Sequence, residues 1–180
     1  MSDKTVAVYP GSFDPITNGH LDLVERGSRI FGQLIVAVLR NAGKNPLFSV
    51  EERVEMLRET TKHLSNVSVD SFDGLLVDYA ARKKARVILR GLRAVSDFEN
   101  EMQMALMNRK LDNNLEIVFM MPAVAFTYLS SRLVREVVQL GGDVHSLVPA
   151  IVSDHLQEKC NGGKTPAAST GTKGTTTRSL

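Results

Sequence analysis

The chain of 180 residues contains one cysteine, Cys160, so no disulfide framework is available and stability has to come from a hydrophobic core. A single thiol suits a reducing compartment, and no charged stretch followed by an apolar one precedes Thr5, so cytoplasm is the expected location. Long hydrophobic runs are missing as well. The longest, around residues 117–121, falls far short of the ~20 apolar residues that a membrane-spanning helix needs, and no membrane partner is expected. Without a secretory route the Asn66-Val67-Ser68 sequon carries no weight. There is little surplus charge of one sign. The net charge of +2 comes from residues 161–180, where Lys164, Lys173 and Arg178 stand with no acid; the rest balances 19 basic against 20 acidic residues. A general nucleic-acid surface is therefore excluded.

Familiar nucleotide motifs are also lacking. No G-x-G-x-x-G follows the first apolar run, which excludes a dinucleotide fingerprint. Gly162-Gly163-Lys164-Thr165 imitates the end of a P-loop, but Glu158 stands where the first glycine belongs and no strand precedes it. Clustered carboxylates that would announce a metal cage are absent, so no protein metal ligand is expected. Hydrophobic residues make up 43% of the chain, enough for one compact core. The expected organisation is one domain over residues 1–160, then a low-complexity tail over 161–180 too poor in apolar side chains to order itself.

What is present is an alternation of short apolar runs with amphipathic stretches. Strand candidates fall at residues 5–9, 34–39, 67–72, 87–89 and 116–121, each followed by a helix candidate. Five β-then-α repeats predict a Rossmann-like, doubly wound, five-stranded parallel sheet with helices on both faces. Ser49-Val50-Glu51-Glu52 and Ser96-Asp97-Phe98-Glu99 both fit a capping box, and Gly141-Gly142 suits the end of a helix over residues 130–140.

Sheets of this kind place ligands at the carboxyl ends of their strands, so each strand-to-helix turn is a candidate site. The first turn, Ser12-Phe13-Asp14-Pro15-Ile16-Thr17-Asn18-Gly19-His20, feeds a helix start where free N–H groups and the helix dipole favour an anion. Asp14 either fixes this turn or caps the helix. The other turns contribute Lys44, the run from Arg90 through Gly91 and Leu92 to Arg93, and Thr127-Tyr128-Leu129-Ser130-Ser131-Arg132 with Arg135 beyond. Cations and hydroxyls converging on one rim suit polyphosphate, because arginine forks grip phosphate oxygens and lysine supplies a mobile charge. On the helix expected over residues 97–111, Glu101, Met104 and Asn108 share a mixed stripe, while Phe98, Met102 and Ala105 form an apolar one. The mixed stripe either lines a pocket facing Leu75 and Leu76 or belongs to a methionine-rich core helix.

Over residues 5–160 these elements resemble the bacterial phosphopantetheine adenylyltransferases, a branch of the nucleotidylyltransferases related to class I aminoacyl-tRNA synthetases. The resemblance rests on residues 9–20, Lys44-Asn45-Pro46-Leu47-Phe48, the segment 90–99, Met107-Asn108-Arg109, and Ser130-Ser131 ahead of Leu133-Val134-Arg135-Glu136. Thr17-Asn18-Gly19-His20 alone marks only the wider group. The resemblance implies reversible transfer of AMP from ATP to 4′-phosphopantetheine, giving dephospho-coenzyme A and pyrophosphate. It implies His20 as transition-state stabiliser, with Ser12, Lys44 and Arg93 also catalytic. The ATP site would comprise Ser12, Phe13, His20, Gly91, Leu92, Arg93, Glu101 and residues 126–132, from Phe126 through Thr127, Tyr128, Leu129, Ser130 and Ser131 to Arg132. The phosphopantetheine site would comprise Ser12, Lys44, Leu76, Arg90, Met104 and Asn108. Mg²⁺ bound mainly through substrate phosphates, a homohexamer, and feedback binding of coenzyme A are further implications. The chain departs from the family at Arg132, where a third serine or threonine is common; this arginine either reaches a phosphate or points to solvent. Two other readings stand beside this one: a nucleotidylyltransferase with another acceptor, such as nicotinamide mononucleotide, and a non-catalytic nucleotide sensor.

Overall fold

The structure is a computed structural model that describes residues 5–40, 45–93 and 95–161. Five strands form one parallel sheet: β1 (Val6–Gly11), β2 (Gln33–Leu39), β3 (Val67–Phe72), β4 (Val87–Gly91) and β5 (Glu116–Met120). Their spatial order is β3-β2-β1-β4-β5. The order reverses between β1 and β4, so a crevice opens there at the strand ends. Six helices accompany the sheet: α1 (Asn18–Ile30), α2 (Val50–Thr61), α3 (Leu76–Arg82), α4 (Val95–Leu111), α5 (Ser131–Gln139) and α6 (Ala150–Asn161). The expected doubly wound architecture is what forms. Among the described residues no helix is long and apolar enough to cross a membrane.

Strand side chains alternate between the two faces, and each face has its own core. Leu34, Val36 and Val38 of β2 join Ala7, Tyr9, Val87 and Leu89 beneath side chains of α1, α2, α5 and α6. Ile35 and Ala37 join Val8 and Ile88 on the opposite face, against Val77, Tyr79 and Ala80 of α3. Because β1, β2 and β4 are covered on both faces, their sequences read as continuous apolar runs rather than as alternating ones.

Ser49 caps α2 as its sequence predicts: its hydroxyl accepts from the Glu52 N–H at 3.1 Å, and Glu52 Oε2 accepts from the Ser49 N–H at 2.6 Å. Gly141, at φ +81°, ends α5 in the left-handed conformation that favours glycine. The second expected capping box is out of register with the start of its helix. Helix α4 begins at Val95, so Ser96 lies inside its first turn. Nor is α4 a core helix: Phe98, Met102, Met104, Leu106 and Met107 are all between 45% and 59% exposed.

Replacing Ser49 with alanine removes one half of the reciprocal cap. Urea denaturation is expected to show a loss of about 1 kcal/mol of stability.

Candidate active site

The turn after β1 is built around Phe13, whose backbone adopts φ +45°. Its ring folds back over Gly11, where any Cβ would come within 2.8 Å of Phe13 Cζ. Thr17 then caps α1. Its hydroxyl accepts from the His20 N–H at 3.4 Å, and its own N–H donates to His20 Nδ1 at 3.1 Å. Histidine thus takes the place that glutamate or glutamine holds in the usual capping box. Since Nδ1 accepts, the proton of the neutral ring resides on Nε2. No described residue partners Nε2, which leaves it as a donor for the adjoining cavity. Burial, assisted by the Arg93 charge, lowers the His20 pKa to about 4, so near neutral pH the imidazole is an uncharged hydrogen-bond donor. The Phe13 ring packs edge-on against it, with centroids 5.2 Å apart.

Two cavities flank the ends of β1 and β4. The first, of about 340 Å³, holds His20, Arg93, Phe126, Leu129, Ser130 and Ser131 along its walls. The second, of about 430 Å³, is lined by Leu39, Phe72, Leu76, Met104, Asn108 and Ile117 among others. They share Pro10, Gly11, Ser12, Arg90 and Glu101. The expected pocket between Leu76 and the stripe of Met104 and Asn108 is therefore present, and the alternative of a buried core helix is excluded.

Arg90 forms the common wall. Its Nε donates to Glu101 Oε2 at 2.6 Å, its Nη2 to Glu101 Oε1, and its Nη1 to the Pro10 carbonyl at 3.0 Å. Burial opposes its charge, yet the paired carboxylate more than offsets this and raises its pKa. Described residues thus engage three of its five N–H groups, and two remain among them for a ligand. Arg93 is held by Asp97 at 3.1 Å and by the Leu129 carbonyl at 3.0 Å.

Several expected binding groups have structural partners of their own. Ser130 is the N-cap of α5, accepting from the Leu133 N–H at 3.1 Å; Ser131 donates to the Pro15 carbonyl at 2.7 Å. Both nevertheless line the first cavity, where the Ser130 hydroxyl keeps its proton and the Ser131 oxygen its free lone pairs. Arg132 pairs with Glu136 at 2.9 Å on the cavity rim, with 83% of its side chain exposed. Arg135 points inward to brace the opening turn through Asp14. Leu92, Thr127 and Tyr128 line neither cavity: the Leu92 N–H donates to the Met120 carbonyl, the Thr127 hydroxyl to Val124, and Tyr128 is 63% exposed. Lys44 lies outside the described residues.

The sequence reading passed over Arg53. Its guanidinium, 4% exposed, donates to the Ser12 carbonyl at 2.8 Å and to the Ser49 carbonyl at 3.1 Å, tying the strained turn to the start of α2. The signal was available: Arg53 interrupts the stripe Val50, Val54 and Leu57 with a charge. On α1, Asp22 accepts from the Ala123 N–H at 3.0 Å and Arg26 donates to the Met121 carbonyl at 2.7 Å, which anchors the segment after β5 beside the cavity.

Residues 8–137 match the Cytidylyltransferase-like family. The chain is 57% identical over 156 residues to a phosphopantetheine adenylyltransferase of Syntrophotalea carbinolica, covering 87% of this chain and 94% of that protein. This chain belongs to the phosphopantetheine adenylyltransferase family. A second member of that family, from Desulfosudis oleivorans, is 54% identical over 154 residues, covering 86% of this chain and 92% of the other. Among solved structures, the Plasmodium falciparum nicotinic acid mononucleotide adenylyltransferase complexed with NaAD superposes with a TM-score of 0.63. At 16% identity, over 88% of this chain and 96% of that one, the likeness is one of fold.

The unfolded chain binds a proton at His20 below pH 6.5, whereas the folded chain does so only near pH 4. Stability present above pH 6.5 is therefore lost as the pH falls toward 4. NMR titration of the folded protein should place the His20 midpoint near pH 4, and a midpoint at the ordinary imidazole value contradicts the neutral-donor assignment.

Proposed function

We propose that the chain catalyses reversible transfer of AMP from ATP to 4′-phosphopantetheine, giving dephospho-coenzyme A and pyrophosphate. The observation that carries this reading is the meeting of two unlike cavities at Ser12, Arg90 and Glu101. One is rich in cations and hydroxyls and suits a triphosphate. The other, with Leu76, Met104 and Ile117, suits a flexible arm that carries amides and a thiol. Substrates placed in these two cavities meet with their phosphates at the shared wall.

An oxygen of the acceptor phosphate attacks the α-phosphorus of ATP, and the bond to the bridging oxygen of pyrophosphate breaks. The attacking group is already an anion, so no general base is needed. The difficulty is to bring two polyanions together and to meet charge that grows in the transition state. His20 Nε2–H, the two remaining N–H groups of Arg90 and those of Arg93 supply donors held in advance by Thr17, Glu101 and Asp97. Family resemblance adds Lys44 at the acceptor phosphate and Ser12 between the two substrates. Mg²⁺, as the resemblance implies, would be held mainly by the substrate phosphates and would neutralise charge there, which accords with a donor set poor in free carboxylates. No protein ligand is assigned, and no group of three His, Cys, Asp or Glu side chains able to hold a metal occurs among the described residues.

Coenzyme A differs from the product by one phosphate, and feedback binding in the same pair of cavities accords with that likeness. The resemblance implies a homohexamer, and the exposed Phe98, Met102 and Leu106 of α4 accord with contact between copies of the chain. A cytoplasmic setting accords with a lone thiol and balanced charge.

The test is pyrophosphate release from MgATP with phosphopantetheine, with nicotinamide mononucleotide as the competing acceptor. Turnover only with the latter, or ATP binding without pyrophosphate release, would overturn the proposal. Replacing His20 with alanine should lower turnover by at least about a hundredfold with little change in substrate binding, because its hydrogen bond strengthens in the transition state.

A further inference from the structure

Tyr9 occupies the last turn of the β1 pleat before Gly11 and has no assigned part in the chemistry above. Its side chain is 4% exposed, and its ring is clamped edge-on by Phe13, with centroids 5.3 Å apart. Yet its hydroxyl makes no hydrogen bond to any described residue, while Tyr79, also buried, donates to Asp70 at 3.0 Å. A buried phenol without a partner is costly, and natural cores rarely keep one. Among the described residues no side-chain oxygen or nitrogen sealed from solvent lacks a partner, and Tyr9, whose hydroxyl has none among them, lines the first cavity.

Its surroundings define what it can bind. The hydroxyl lies beside Gly91, where an added Cβ would stand 3.7 Å from it and clash with Leu23 Cδ1 at 2.6 Å. A side chain at position 91 would crowd this corner of the cavity; glycine leaves it open. Burial raises the phenol's pKa, outweighing the opposing charges of Arg90 and Arg93, so that it keeps its proton. A fixed, neutral O–H beside two guanidinium groups is a donor for an anionic oxygen.

We infer that the Tyr9 hydroxyl is a substrate-binding group of the first cavity, donating a hydrogen bond to a phosphate oxygen of the bound nucleotide. The inference rests on the reading of that cavity as the nucleotide site. The ligand supplies the partner that the described residues do not. The ring serves separately, as one support of Phe13, which in turn packs on His20.

Replacing Tyr9 with phenylalanine removes one oxygen and keeps the ring. MgATP binding by calorimetry, kcat/KM for ATP and for phosphopantetheine, and the melting temperature are measured on wild type and on Y9F. The expected result is a loss of about tenfold in MgATP affinity and in kcat/KM for ATP, an unchanged KM for phosphopantetheine, and an unchanged melting temperature. MgATP affinity and kcat/KM within twofold of wild type overturn the inference. So does a marked fall in melting temperature, which would show that the hydroxyl holds the fold rather than a ligand. Failure of wild type itself to bind MgATP would instead sink the nucleotide-site reading, a separate outcome that removes the premise and the inference with it.

Discussion

One buried carboxylate holds the site together. Asp14, 6% exposed, accepts the Phe48 N–H at 2.9 Å, the Leu47 N–H at 3.0 Å and Arg135 Nη1 at 3.1 Å. The turn after β1, the chain entering α2 and the middle of α5 thereby converge on a single side chain. Arg53 adds a second tie from α2 to the Ser12 carbonyl. Such ties are what allow Phe13 to stay at a positive φ that its side chain disfavours, since strain persists only where its surroundings over-determine it. Everything the turn carries follows from that geometry: the ring of Phe13 against His20, the cap by Thr17, and the tautomer that presents Nε2–H.

The second organising feature is the Arg90–Glu101 pair between the cavities. A guanidinium free in solution would have to be ordered on binding phosphate. Here Glu101 and the Pro10 carbonyl have already fixed it, and the N–H groups left over point from a rigid wall. The same economy recurs at Arg93, held by Asp97 and Leu129, and at His20, held by Thr17. Donors fixed before substrate arrives need no reorganisation when charge develops, which is the condition for strong electrostatic stabilisation.

Legibility differed between fold and site for a physical reason. Apolar runs of three to six residues separated by amphipathic stretches leave few topologies open, and right-handed crossovers prune them to the doubly wound sheet. Ser49-Val50-Glu51-Glu52 formed its box because a cap is settled within four residues, whereas Ser96 was overtaken by a helix that starts one residue ahead of it. Met104 and Asn108 were rightly paired with Leu76 across a cavity. The exposure of Phe98, Met102 and Leu106 was not legible, because an apolar stripe looks the same whether it faces a core, a ligand or solvent.

Local order along the chain decided the strands, the helix starts and the clustering of cations and hydroxyls at the carboxyl edge of the sheet. It also set the family to which the chain belongs, since the residues that carry that likeness are contiguous motifs. Tertiary structure alone decided which of those groups are spoken for. Arg135 is turned inward to Asp14, Ser131 is bonded to Pro15, Arg132 is paired on the rim, and Tyr9 is buried with no partner for its hydroxyl among the described residues. Arg135 and Asp14 lie 121 positions apart in the chain, and local sequence carries no information about contacts closed at that distance.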